Sequence, residues 1–129
     1  MDKAKFATAI NCMDGRVQVP VIEWLKKYYK VDYVDMITEP GPNKILAERT
    51  DSYVIDAIRK KAGISVDKHA SKIIAVIGHH DCAGNPECED VQISQIVTSI
   101  ETIISWELDV KVLGLWINED LVVREIKTK

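Results

Sequence analysis

The sequence predicts an α/β fold: a three-layer domain built on a mainly parallel four-stranded sheet, with one further antiparallel strand at an edge. Short apolar runs typical of buried strands alternate along the chain with longer stretches of helical periodicity. The continuous β-branched run at residues 72–77 is typical of the central strand of a parallel sheet. The length of 129 residues suits one folding unit, so we expect a single domain over residues 1–129.

Five expected strands share short length, apolar or β-branched residues, and polar or glycine-containing boundaries. They are expected at residues 6–12, 33–37, 72–77, 110–117 and 121–126. The second ends at residues 39–43, a loop whose two prolines and glycine suit neither helix nor strand. The last follows a turn at residues 118–120, and we therefore expect it to run antiparallel to the fourth.

Three helical stretches separate the strands, and each shows apolar side chains at intervals of three and four. They are expected at residues 20–29, 44–62 and 89–108. Pro20 suits the first turn of the first stretch. Asp51 or Ser52 marks a break and a new cap within the second, which is expected to stop at Gly63. This alternation implies right-handed crossovers that place helices on both faces of the sheet.

Composition excludes several classes of function. The net charge is −3 and there is no basic run, so nucleic acid and membrane surfaces are not expected as partners. No apolar stretch reaches the roughly 18 to 20 residues that span a bilayer. The first residues lack the pattern of a secretory signal, so we expect a cytoplasmic protein with reduced thiols. The three cysteines are then metal ligands, reactive thiols or core residues, not disulfide partners.

Two polar segments carry the residues that bear chemistry. Cys12 ends the first strand, and His79 and Cys82 lie in the loop after the central strand. Because the carboxyl ends of parallel strands meet at one edge of a sheet, we expect the two segments to lie close together. Thiolate and imidazole are ligands of zinc, and catalytic zinc sites usually keep three protein ligands and an open fourth position. The sequence therefore predicts one Zn2+ bound by these three residues. The fourth position is expected to hold water or one of three nearby side chains, those of Asp14, His80 and Cys88.

Other polar residues near this site have alternative interpretations. His80 suits a proton shuttle as well as a solvent-exposed loop position. Asp81 is expected to cap backbone groups, with a supporting contact to a metal ligand as the alternative. Cys88 is expected to be a free cysteine before a helix, and His69 to be merely solvated. The three tryptophans are expected in the core or at an interface.

The pattern Cys12-x-Asp14-x-Arg16, followed by His79-x-x-Cys82, resembles the signature of the β-class carbonic anhydrases. The likeness extends to the order of elements over most of the chain. It implies a β-carbonic-anhydrase-like fold, zinc bound by the two cysteines and the histidine, and a homodimer. It also implies that the aspartate and arginine pair beside the metal and control its open position. The implied reaction is the zinc-dependent, reversible hydration of carbon dioxide to bicarbonate by a zinc-bound hydroxide.

The sequence departs from that family in short stretches. Gly15 stands where the family usually has serine, and Ala83 where it usually has glycine. Residues 39–43 preserve little of the family's Arg-Asn-Ala-Gly-Asn loop, so we expect an altered substrate pocket. Two alternative functions follow. One is a zinc hydrolase of another small cumulated substrate, such as carbonyl sulfide or carbon disulfide. The other is a non-catalytic zinc-binding module whose site is closed by Asp14.

Overall fold

The computed structural model describes residues 3–128, so the first two residues and the last residue of the predicted domain lie outside the described part. Within it, the strands are β1 (Phe6–Cys12), β2 (Tyr33–Glu39), β3 (Ile73–His79), β4 (Lys111–Ile117) and β5 (Val123–Ile126). The helices are α1 (Gln18–Tyr29), α2 (Pro42–Glu48), α3 (Ser52–His69) and α4 (Glu89–Ile104). A 3-10 turn, Gly15–Val17, precedes α1.

The strands form one sheet in the order β2-β1-β3-β4-β5. The first four are parallel neighbours, and β5 pairs antiparallel with β4, which confirms the predicted fold class. In β1, Ile10 pairs with Ile37 of β2 on one side and with Val76 of β3 on the other. Since β1 and β3 are adjacent and parallel, their terminal residues Cys12 and His79 reach the same edge of the sheet.

Each face of the sheet has its own apolar core, because successive strand side chains point to opposite faces. On one face, Val21 and Leu25 of α1 pack against alternate residues of the inner strands. On the other, Ile58 of α3 packs with Ile96 and Ile103 of α4. These side chains are fully or almost fully buried, and each such burial contributes about 1.5–3 kcal/mol. The second core includes two of the tryptophans, Trp106 and Trp116, and Trp24 packs at the margin of the first.

Several predicted boundaries are wrong. Helix α2 starts at Pro42, inside the segment expected to be a loop, because proline needs no amide partner in the first turn of a helix. Gly63 does not end a helix, and α3 continues for six further residues to His69. Glycine inside a helix costs about 1 kcal/mol, which the packing of the following turn against the sheet offsets. The predicted break is confirmed: Asp51 caps α3 by accepting from the amide of Val54.

Two other ends also differ from expectation. Helix α4 finishes at Ile104 and not near residue 108, and β5 begins at Val123 and not at residue 121. Leu121 has a positive φ of 62°, which an extended strand does not allow.

Among residues 3–128, none of the helices combines the length and hydropathy that a membrane-spanning segment requires.

The prediction that His69 is merely solvated is wrong. Its Nδ1 lies 2.6 Å from a carboxylate oxygen of Asp35, and its ring stacks on Phe6 with the ring centroids 4.2 Å apart. The same Asp35 oxygen accepts a hydrogen bond from Ser65 at 2.7 Å. These contacts attach the end of α3 to β1 and β2.

Candidate metal centre

Three side chains meet at the carboxyl edge of β1 and β3. The ligand atoms of Cys12, His79 and Cys82 all lie within 4.8 Å of one another, and the two sulfurs are 3.8 Å apart. Each residue is 3–4% exposed. Two thiols and an imidazole in a group this tight can hold a metal ion.

The histidine of this group is oriented for metal binding. Nδ1 of His79 lies 2.8 Å from the carbonyl oxygen of His80, so Nδ1 carries the proton and donates it to that oxygen. Nε2 is then an acceptor, yet it is buried and has no hydrogen-bond partner among residues 3–128. An unsatisfied buried polar atom costs about 1–3 kcal/mol. A metal ion beside the two sulfurs would satisfy it, so the residues fit a metal.

The pKa values of the two thiols shift in opposite directions, because their sulfurs lie 3.8 Å apart. The pKa of Cys12 is lowered, chiefly by its hydrogen bond with Cys82, and this effect outweighs burial. The pKa of Cys82 is raised by the same hydrogen bond and by burial. A bound metal would displace the remaining protons, because its thiol ligands must be deprotonated.

Backbone amides also contact the sulfurs. Amides of Gly41 and Asp14 donate to the Cys12 sulfur, and those of Gly84 and Asn85 donate to the Cys82 sulfur. Each of these contacts favours the thiolate. The two loops therefore stabilise the ligands in the charged form that a metal requires.

Asp14 and Arg16 form a pair beside the group. The Arg16 backbone amide donates to Oδ1 of Asp14 at 2.9 Å, and its Nη2 donates to Oδ2 at 2.7 Å. The Arg16 side chain lowers the pKa of Asp14 to about 2, and the contact raises the pKa of Arg16 in turn. Arg16 also reaches Asp81, through Nη2 to the carbonyl oxygen at 3.1 Å and Nη1 to Oδ2 at 3.4 Å. One guanidinium thus joins the two segments that carry the ligands.

The three side chains named for the fourth position stay outside the group. Within residues 3–128, the group that could hold a metal ion contains two cysteines and one histidine, without Asp14, His80 or Cys88. Cys88 is exposed at the start of α4, and His80 is exposed. A cavity of about 20 Å³ lies beside His79, lined also by Arg16 and His80. That volume is about enough for one water molecule.

Residues of the segment expected to alter the substrate pocket lie beside the cysteines. Gly41 has a φ of 62°, and a Cβ there would lie 2.8 Å from the Cβ of Asn85. A Cβ on Gly84 would lie 2.7 Å from the carbonyl carbon of Pro40. The 40–41 and 84–85 segments therefore touch backbone to backbone and close this side of the group.

Sequence reasoning missed Gln92 and Asn43. Gln92 is fully buried, and its side chain bonds to the backbone of His79 and to the side chain of Asn43. The available signal was a polar residue in an apolar stripe: Gln92 lies one turn before Ile96 on the face of α4 that packs on the sheet.

Comparison with known proteins identifies the family of the chain and agrees with the fold. Residues 2–127 match the profile of a family described as "Putative carbonic anhydrase". No curated protein sequence matches the chain. The structure is similar to that of β-carbonic anhydrase isoform I from the protozoan Trichomonas vaginalis, with a TM-score of 0.61 and 18% identity, covering 98% of this chain and 85% of that one. It also matches the β-carbonic anhydrase of the fungal pathogen Aspergillus fumigatus, with a TM-score of 0.48 and 13% identity, over 96% of this chain and 76% of that one. From the family match, the chain is a member of the family described as "Putative carbonic anhydrase", and it shares its fold with the protozoan β-carbonic anhydrase.

Proposed function

We propose that this protein is a zinc-dependent carbonic anhydrase, interconverting carbon dioxide and bicarbonate, with Cys12, His79 and Cys82 as its zinc ligands. The observation that carries the proposal is the buried, unpartnered Nε2 of His79 in a group with two sulfurs. Membership of the carbonic anhydrase family supports the reaction.

The donor set favours zinc over harder ions such as Mg2+, which prefer oxygen ligands. When bound, zinc acts as a Lewis acid that lowers the pKa of water to about 7 and so supplies a nucleophile at neutral pH. Free thiol ligands also suit the reducing cytoplasm, where we place the protein.

The chain's own residues provide orientation and proton transfer. Arg16 keeps Asp14 ionised, so this carboxylate accepts a hydrogen bond from the attacking water and orients it toward carbon dioxide. We assign the catalytic roles to this pair. His80, exposed beside the small cavity, is placed to pass the released proton to solvent.

The contacts of Asp14 favour this reading over a closed, non-catalytic site. To ligate the metal itself, the carboxylate would have to give up its hydrogen bonds to the side chain of Arg16, the shortest of which is 2.7 Å. The described arrangement holds it on the arginine, which supports an open fourth position.

We also propose that the protein is a homodimer. The buried isoleucines of α4 pack in the second core and are not available for an interface. A different surface supports the proposal: Tyr28 and Val122 are each 57% exposed, and Leu121 is 42% exposed, around one groove between α1 and the β4–β5 turn. Clustered exposed apolar side chains are typical of protein interfaces.

Stopped-flow hydration of carbon dioxide, with zinc content quantified, tests the proposed function. We expect the wild type to bind one zinc per chain and to hydrate carbon dioxide. Cys82→Ala should lose both zinc and activity, because a ligand is gone. Cys88→Ala is the matched control, since this exposed thiol lies outside the group, and it should behave as wild type.

Stoichiometric zinc without hydration at any pH would overturn the carbonic anhydrase proposal. The same preparation should then be tested with carbonyl sulfide and carbon disulfide. Turnover of either would identify the hydrolase alternative, and no turnover would indicate a binding module.

A further inference from the structure

The side chain of Gln92 bonds to both backbone polar groups of the histidine in the candidate metal centre. Its Oε1 accepts from the His79 amide at 3.2 Å, and its Nε2 donates to the His79 carbonyl oxygen at 2.8 Å. The side-chain amide of Gln92 thus pairs with the backbone N–H and C=O of His79 as the backbone of a neighbouring strand would. It does so at the last residue of β3. With both backbone groups held, the Cα–Cβ bond of His79 has a fixed direction, and the hydrogen bond from Nδ1 to the His80 carbonyl oxygen orients its ring.

The same side chain also holds the loop that follows. Nε2 lies 3.3 Å from the carbonyl oxygens of Asn85 and Glu87, so its two hydrogens are shared among three acceptors. The segment between β3 and α4 has no regular secondary structure, and its buried carbonyls need partners from elsewhere. Gln92 supplies them on both sides of Cys82, so one side chain spans the stretch that carries two of the three ligands.

Residues of two other elements leave space for the Gln92 side chain and bind it. Asn43 of α2 donates to its Oε1 at 3.1 Å. A Cβ on Gly78 would lie 2.9 Å from that oxygen and 2.8 Å from Nδ2 of Asn43. Only glycine at residue 78 lets these two side chains approach β3 directly before the ligand. The position of Gln92 is therefore specified from three elements: β3, α2 and α4.

We infer that Gln92 is a positioning residue for the metal centre: it sets the geometry of His79 and of the 80–87 loop before metal binds. This inference rests on the proposed metal site. It explains why a polar side chain occupies the apolar face of α4, where an aliphatic residue would otherwise pack. Partners that orient metal ligands typically change metal affinity or activity by about 10–100-fold when removed.

Cobalt binding to two Gln92 variants tests this role. Gln92→Met keeps the volume and removes every hydrogen bond, and Gln92→Glu keeps an acceptor for His79 and Asn43 but loses the amide donors. We expect about 10–100-fold weaker Co2+ binding in chelator competition for Gln92→Met. Its visible ligand-field spectrum should change, because His79 is displaced. Gln92→Glu should also bind Co2+ more weakly than the wild type.

Thr102→Val is the matched control. Thr102 donates to the Leu46 carbonyl oxygen at 2.8 Å, so it is another buried polar link between α4 and α2, but it does not contact the loop. We expect lower stability with wild-type Co2+ affinity and spectrum. If Gln92→Met is equally destabilised and also binds Co2+ as wild type does, Gln92 is only structural and the inference is wrong.

A measurement on the wild type covers the case in which neither variant folds. The side-chain amide protons of Gln92 should be protected from hydrogen exchange in the metal-free protein, and rapid exchange would overturn the inference. The two proposals fail separately. Wild type that binds Co2+ but, loaded with zinc, hydrates no carbon dioxide contradicts the proposed activity alone, whereas unchanged binding in the variants contradicts the positioning role alone.

Discussion

Arg16 connects the two segments of the candidate site through a single exposed side chain. It donates to the carboxylate of Asp14 after β1 and to the backbone and carboxylate of Asp81 after β3. An ion pair of a solvent-exposed side chain contributes little to the stability of a fold, because water and salt screen it. The contribution of Arg16 should therefore appear in the chemistry of the site more than in folding.

We expect Arg16→Ala to retain zinc and to lose carbon dioxide hydration by about 10–100-fold. Without the guanidinium, the pKa of Asp14 rises toward its ordinary value and the carboxylate is no longer held away from the metal. Metal analysis and stopped-flow hydration on one preparation measure both effects. Arg59→Ala, at an exposed arginine of α3, is the control and should change neither. Loss of zinc from Arg16→Ala would show a structural role instead.

Residue patterns predicted the three grouped side chains but not the residues that support them. Cys12, His79 and Cys82 are recognisable because thiol and imidazole at strand ends are specific to few chemistries. Gln92 and Asn43 act through hydrogen bonds to residues far along the chain. An amide side chain has no sequence signature of that kind, because its partners are defined only once the helices have packed.

Two glycines in the helices that follow β2 have different structural roles. Gly41 precedes α2 with a positive φ, its amide contacts the Cys12 sulfur, and its missing side chain allows contact with the 84–85 segment. Gly63 lies inside α3, and a Cβ there would meet nothing within 4 Å. The same residue type therefore has opposite roles in adjacent elements.

We expect Gly41→Ala to lower the free energy of unfolding by about 1–3 kcal/mol, because alanine is strained at this φ and its Cβ meets Asn85. Gly63→Ala should raise it by roughly 0.5–1 kcal/mol, since alanine restricts the unfolded chain and fits the helix. Urea unfolding of the two variants beside wild type measures both changes. Equal effects of the same sign would contradict the packing described for Gly41.

On the scale of the molecule, the sheet order brings the ends of β1 and β3 together, and the packing leaves an apolar surface exposed on the α1 side. This surface lies around Tyr28 and Val122. Covering it with a second copy would remove exposed apolar area from water.

We expect sedimentation velocity to show a dimer for the wild type and at least about tenfold weaker association for Val122→Glu, because a buried unpaired carboxylate is costly. Ile64→Glu is the matched control: Ile64 is 58% exposed, as Val122 is 57%, but it lies on α3 away from the groove. It should remain dimeric. A wild type that is monomeric at all concentrations, or an Ile64→Glu variant that dissociates, would refute the proposed interface.

Local patterns in the chain specify the class of fold, the sheet with its antiparallel edge, and the identity of the residues that meet at its carboxyl edge, because periodicity and strand-end chemistry are local properties. Asp14 and Arg16 are two residues apart in the chain, and the 3-10 turn brings them into an ion pair. The packing of the folded chain establishes which side chains stay outside the candidate metal-binding group, that Asp81 binds Arg16, and that Gln92 holds His79. These outcomes depend on distances between segments remote in the chain, and such distances exist only after both cores have packed.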